Sequence, residues 1–191
     1  MLYKILIIIL ILILLLVIYF SLLENYLLIE KDFLNHNDII ELSKIIDYQN
    51  NIFLEDDTKK YILFDKNNNN NTKIYNIIYK NEKLKKIIKE NFHVDLKKPS
   101  YDIEYRIYKN NKNSMGWHQD YKIVNKNYLE CVYVIKNTTN SFFRWYKDFK
   151  FNEYFQKKND LIILKSYDLI HNIDPILYGE KKILKFIINL E

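Results

Sequence analysis

An α+β domain, mainly β, behind a single apolar helix is the architecture this sequence predicts, and three observations carry the prediction. An unbroken apolar run fills the N-terminus, two stretches of helical periodicity follow, and beyond Pro99 short segments rich in Tyr, Phe, Ile and Val take over. The 191 residues allow one compact domain with an appendage. An apolar content of 49% with 16% aromatic residues is enough for an ordinary core, which excludes global disorder. The net charge of +5 is too small to mark a nucleic-acid binder, and nucleic acid is not expected as a partner. With Cys131 as the single cysteine, an internal disulfide and a cysteine-built zinc site are both excluded. Alanine is absent and asparagine abundant, a coding bias that strips runs such as Asn67–Asn71 of functional weight.

From Ile5 to Phe20 no polar side chain occurs, and Leu2, Tyr3, Leu22 and Leu23 extend the run. About 20 apolar residues at 1.5 Å rise cross the ~30 Å hydrocarbon core as a helix. Residues 1–23 are therefore expected to form an uncleaved transmembrane anchor, because the run exceeds a usual signal h-region and no small-residue cleavage pattern follows. Lys4 precedes the span while Glu24, Glu30 and Asp32 follow it, which places the N-terminus in the cytoplasm and the remaining chain in a lumen or outside the cell. The sequons at Asn70 and Asn137 are read as chance in so Asn-rich a chain.

Residues 24–37 read as a linker and 38–191 as the domain. Asn37 or Asp38 is the expected N-cap of a helix whose Ile39, Ile40, Leu42, Ile45 and Ile46 share one face. A second helix is expected from about Thr72 to Phe92, with a solvated lysine face. Tyr61–Phe64 has the character of a short strand. After Pro99, the segments YDIEYRIYK, LECVYVIKN, SFFRWYKD, DLIILKS, DLIHNI and KKILKFIINL read as strands spaced for antiparallel hairpins, hence a β-sandwich or barrel with the helices packed outside.

Four histidines occur, and two have informative neighbours. In MGWHQD, His118 and Asp120 are two residues apart, so on an extended strand both project to one face and can meet a single ion. A third ligand must come from another strand, for which His171 in DLIHNID is the natural candidate. Two histidines and one carboxylate form a facial triad with open positions suited to Fe(II), whereas zinc favours a closed tetrahedral set. Three of the four Gly and Pro residues in the chain, Gly116, Pro175 and Gly179, sit beside these histidines, where tight turns are expected. One strand beyond His171, Lys181 offers a cation to a carboxylate reaching in from the metal.

His118-x-Asp120, then His171, then IDPILYGEK with a basic residue ten positions after that histidine, resembles the iron(II)- and 2-oxoglutarate-dependent dioxygenases of the prolyl 4-hydroxylase-like group. The resemblance covers about 101–190. It implies a double-stranded β-helix, or jelly roll, supported by N-terminal helices. It also implies that His118, Asp120 and His171 hold Fe(II), that Lys181 pairs with the distal carboxylate of 2-oxoglutarate, and that Tyr108, on the strand before H-x-D, lies near the co-substrate. The activity implied is hydroxylation of a protein or peptide side chain by O2, coupled to decarboxylation of 2-oxoglutarate to succinate and carbon dioxide, with ascorbate as a further family cofactor.

Two departures from the pattern stand out. The Gly-Gly-acid-Thr-like turn common in the family is replaced by NTTNSFFRWYKD, which has no glycine. Lys182 competes with Lys181, but period-two alternation puts Lys182 on the face of Leu184, Phe186 and Ile188. Nucleic-acid demethylases of the alkylation-repair type resemble the chain less, their basic co-substrate residues lying farther beyond the distal histidine. The alternative from another class is a membrane-anchored jelly-roll binding module without turnover. No segment of the sequence reads as a substrate-specific reader.

Overall fold

Alternating side chains on long antiparallel strands force the second half of the chain into two facing sheets, with helices on one outer side. A computed structural model describes residues 2–21, 27–48, 53–55, 59–97, 99–109, 115–120, 127–147 and 149–190. The elements are α1 (Leu2–Ser21), β1 (Leu27–Glu30), α2 (His36–Tyr48), β2 (Leu54–Glu55), β3 (Lys60–Phe64), α3 (Thr72–Tyr79), α4 (Glu82–Phe92), β4 (Ile103–Lys109) and β5 (Met115–His118). They continue with β6 (Tyr128–Asn137), β7 (Phe143–Lys147), β8 (Lys150–Tyr154), β9 (Leu161–Leu164), β10 (Ile170–Ile173) and β11 (Glu180–Asn189). A seven-stranded sheet runs in the order β1-β9-β6-β11-β4-β3-β2, and a four-stranded sheet in the order β5-β10-β7-β8. This is the mainly β, jelly-roll arrangement.

Strand alternation sorts the long sheet into two faces. Tyr105 on β4, Leu129, Cys131 and Tyr133 on β6, and Leu184, Phe186 and Ile188 on β11 pack with Ile74, Ile78, Leu84 and Ile88 of α3 and α4 into one buried cluster. The opposite face carries Tyr108, Val132, Ile162, Leu164, Lys181 and Ile183 and looks toward the short sheet. Cys131 lies on the helical side, and burial pushes its thiol well above the usual range, which leaves it inert.

The helix expected over Thr72–Phe92 is two helices. α3 stops at Tyr79, and Asn81 restarts the chain as an N-cap, its side chain accepting from the Leu84 amide at 3.0 Å. The first domain helix begins earlier than Asn37, because Asn35 accepts from the Asp38 amide at 2.9 Å. Residues 24–37, expected to be a linker, are partly structural. Leu27–Glu30 pairs with β9, and Asn159 grips the following segment, donating to the Leu34 carbonyl and accepting from the Leu34 amide. Three apolar residues in a four-residue strand are too little signal beside the preceding apolar run.

α1 is helical over 20 residues, and its described side chains, among them Leu6, Leu10 and Leu14, are exposed. Among the residues whose side chains are described, no stretch of helix is long and apolar enough by itself to cross a membrane. The extension of the apolar run through Leu22 and Leu23 lies outside the described residues, as does 121–126 of the loop after Asp120.

Of the two glycines, only Gly179 is required by the backbone. It sits at φ +81°, and a Cβ there would collide with the Thr138 carbonyl, whereas a Cβ at Gly116 would meet nothing within 4 Å. Gly179 delivers the chain into β11, whose first residue is fixed by Thr138 N–H donating to the Glu180 carbonyl at 3.0 Å and Glu180 N–H donating to Thr138 Oγ1 at 3.0 Å. Gly179→Ala is expected to destabilise the domain by about 1–3 kcal/mol from the backbone conformation alone, read as a lower urea midpoint at unchanged m-value.

Candidate metal centre

β5 and β10 pair so that His118 and His171 stand directly opposite each other, and their ring centroids are 4.4 Å apart. Asp120 lies just beyond the end of β5, held by its amide, which donates to the Ser166 carbonyl at 3.2 Å. The strand thus supplies the first histidine and the following bend the carboxylate. His118 Nε2 is 3.5 Å from Asp120 Oδ1, and one ligand atom from each of His118, Asp120 and His171 lies within 4.8 Å of the other two. The three residues that the sequence analysis singled out converge.

Their protonation states suit a cation. His118 Nδ1 lies 2.6 Å from the Gly116 carbonyl and His171 Nδ1 lies 2.8 Å from the Leu169 carbonyl. A carbonyl accepts only, so each Nδ1 donates to it and each Nε2 is the ring nitrogen left to face the centre. His118 Nε2 is buried with no hydrogen-bond partner among the described residues, an arrangement that costs stability unless a further group is bound there. Burial lowers the pKa of the His171 imidazole, with His118 adding to the effect, and this favours the neutral ring. Burial pushes the Asp120 carboxyl up, but a hydrogen bond with Glu130 and the Lys185 cation more than offset it and keep the group below its ordinary value. The donor set fits a ferrous ion: two imidazoles, each with Nε2 free of the carbonyl contact, and one carboxylate.

A cavity of about 190 Å³ runs from this cluster into the space between the sheets. Asp120 and His171 border it, apolar walls come from Ile162, Leu164, Ile173, Ile176 and Ile183, and Lys181 and Gln156 lie on its lining. Lys181 is 1% exposed, and its ammonium donates to Gln156 Oε1. Burial, with no charged partner among the described residues, pulls its pKa down to about 7. Tyr108, 7% exposed, lies across from Lys181 in the β4–β11 register and accepts from Arg106 Nη1 at 3.2 Å. Lys182 points the other way and pairs with Glu180 at 3.3 Å.

Other residues around the site were not anticipated. Gln156 follows β8, a strand absent from the sequence reading, and its carbonyl accepts from Asn137 Nδ2 at 2.7 Å. Glu130 and Lys185 pair at 2.7 Å on the cavity lining. Their signal was present, since alternation in LECVYV and KKILKF sets both opposite the apolar core face. Trp117 projects to the opposite side of β5 from His118, where it meets Phe151 at a centroid distance of 5.4 Å, so it is not part of the cavity.

No family model matches the chain, and no curated protein does either. Solved structures do. An oxidoreductase of the 2OG-Fe(II) oxygenase family from Burkholderia pseudomallei matches with a TM-score of 0.69 at 10% identity, covering 87% of this chain and 85% of that one. A prolyl hydroxylase from Trichoplax adhaerens, in complex with a hypoxia inducible factor oxygen degradation domain peptide fragment, gives 0.62 at 12% identity over 86% and 83%. The viral collagen prolyl hydroxylase of Paramecium Bursaria Chlorella virus-1, as its 2OG complex, gives 0.60 at 15% identity over 86% and 96%. The fold is that of the 2-oxoglutarate- and Fe(II)-dependent oxygenases, prolyl hydroxylases among them.

Proposed function

We propose that the chain is an Fe(II)- and 2-oxoglutarate-dependent dioxygenase that hydroxylates a protein or peptide side chain. The observation that carries the reading is the convergence of His118, Asp120 and His171 at one end of a cavity on whose lining a buried lysine, Lys181, has no anionic partner among the described residues. His118, Asp120 and His171 would hold Fe(II), and Lys181 would receive the far carboxylate of 2-oxoglutarate in a charge-assisted contact that sets orientation as well as affinity. Bound together, the ion and co-substrate supply activation of O2 and attack on a substrate C–H bond. The Gly116 and Leu169 carbonyls fix the ring orientations, the Lys185 cation favours the ionised form of Asp120, and the isoleucine walls limit water around the reacting groups.

The peptide bound to the Trichoplax enzyme supports a polypeptide substrate here. The apolar α1 sequence and the exposure of its described side chains support a membrane anchor, with the N-terminus cytoplasmic and the catalytic domain on the far side. The test is succinate production from 2-oxoglutarate by the full chain with Fe(II), ascorbate and O2, followed by a search for products heavier by one oxygen atom. Succinate formation lost in His118→Ala supports the reading, and undiminished turnover in that variant contradicts it.

Gln156→Glu would place a carboxylate against the Lys181 ammonium, occupying the charge that the co-substrate needs. The Michaelis constant for 2-oxoglutarate is expected to rise by at least roughly tenfold, about 1.4 kcal/mol of binding. Comparison with Gln156→Leu separates charge competition from loss of a hydrogen bond.

A further inference from the structure

The outer face of the short sheet is aromatic and faces away from the cavity. Tyr146 on β7 pairs with Phe151 on β8 and Ile170 on β10, and Trp117 on β5 closes against Phe151, so four apolar side chains form one exposed patch. Among the described residues nothing covers it: Trp117 is 46% and Phe151 56% exposed. At the tip of the β7–β8 hairpin, Phe149 is 94% exposed at φ +59°, a conformation and an exposure that contribute nothing to the core. Lys147 and Lys150 stand opposite each other in the same register, beside one acid in sequence, Asp148. A bulky apolar tip flanked by cations, over Trp and Tyr side chains with apolar bodies and polar ends, matches the chemistry of a headgroup interface.

The chain path points the same patch at lipid. Only residues 22–26 separate Ser21 of α1 from Leu27 of β1, so those two residues lie within about 20 Å of each other. Leu27 packs against the cluster of Phe143, Ile162, Leu164 and Leu169, and so does Trp145 of β7. The tether therefore enters the domain beside β7, whose last residue, Lys147, is two residues beyond Trp145, about 7 Å along the strand toward the hairpin tip. We propose that the β7–β8 hairpin and the aromatic outer face of the short sheet dock on anionic headgroups in the leaflet on the domain's own side of the bilayer that holds α1. This rests on the anchoring reading above. Docking would fix the orientation of the cavity relative to the membrane.

The test uses the full chain carrying Phe149→Trp, reconstituted into phosphatidylcholine vesicles with or without phosphatidylserine, with lipids brominated near the headgroup as quenchers. Emission of the unsubstituted chain supplies the background from Trp117 and Trp145. The expected result is strong quenching of the added tryptophan in the anionic vesicles. Lys147→Gln with Lys150→Gln is expected to lower the docked-to-undocked ratio by roughly thirtyfold, at ~fivefold per lysine. Resistance to alkaline carbonate extraction reads the anchor separately. A chain that is retained but unquenched at position 149, or whose quenching ignores lipid charge and both lysines, overturns docking and leaves the anchor standing. Emission that follows protein-to-lipid ratio rather than lipid charge assigns the patch to a second copy of the chain and overturns docking likewise. Release by carbonate overturns the anchoring reading and the proposal with it.

Discussion

Lys181→Met is expected to stabilise the 2-oxoglutarate-free protein while removing its affinity for 2-oxoglutarate. The lysine is buried to 1% exposure with a neutral amide as its partner, and burial holds its pKa at about 7 against an ordinary 10.5. Between those values the unfolded chain holds a proton that the folded one has released, so stability rises with pH across the window. Below pH 7 the full penalty of a charged, desolvated group applies, with a ceiling of about 5 kcal/mol at about 1.4 kcal/mol per pKa unit. Methionine removes that penalty and packs against the isoleucine walls, although stranding the Gln156 carbonyl returns about 1–3 kcal/mol. A higher urea midpoint at pH 6.5, with a smaller gain at pH 10, is the result expected; a lower midpoint at both would contradict it. The same titration acts on the ligand. Above pH 7 a dianion must bring a proton with it, so affinity for 2-oxoglutarate is expected to fall by about tenfold per pH unit, and Lys181→Arg to abolish that slope because guanidinium stays charged.

His118→Ala and Asp120→Ala are each expected to abolish turnover and Fe(II) retention while leaving the fold intact. Loss of an outer-sphere partner such as Glu130 costs roughly 10–100-fold in metal affinity, and removing a direct ligand from a set of three should exceed that range. The fold should tolerate the change because His118 Nε2 makes no hydrogen bond among the described residues and because the β5–β10 pairing is carried by backbone groups. Iron content after anaerobic loading and desalting checks the prediction against an unchanged circular dichroism spectrum. Iron retained at wild-type level in both variants would contradict it.

The clustering of the candidate site residues was legible because it is local in sequence or fixed by period. H-x-D needs two residues, and alternation on β11 separates Lys181 from Lys182, which the structure sets on opposite faces. The carboxylate does not share a strand with His118 as expected; it lies past the end of β5 and reaches the centre through a bend held by Ser166. Gln156 was invisible because it belongs to the turn after β8, and KFNEY carries no continuous apolar face to announce a strand. The break between α3 and α4 was hidden by an apolar period that continues across Lys80–Asn81, while the capping chemistry of Asn81 decided the geometry. Gly116 sits beside His118 yet has open space where a Cβ would go, so proximity to a ligand was a poor guide to its role.

Anaerobic titration of the full chain with Fe(II), before and after addition of 2-oxoglutarate, bears most directly on the whole account. Binding of a single iron per chain, with a visible absorbance band that appears only when the keto acid is added, vanishes in His118→Ala and weakens as pH rises past 7, is the outcome the geometry requires. Failure to take up iron, or a band that survives loss of the His118 imidazole, would mean that these side chains do not share an ion.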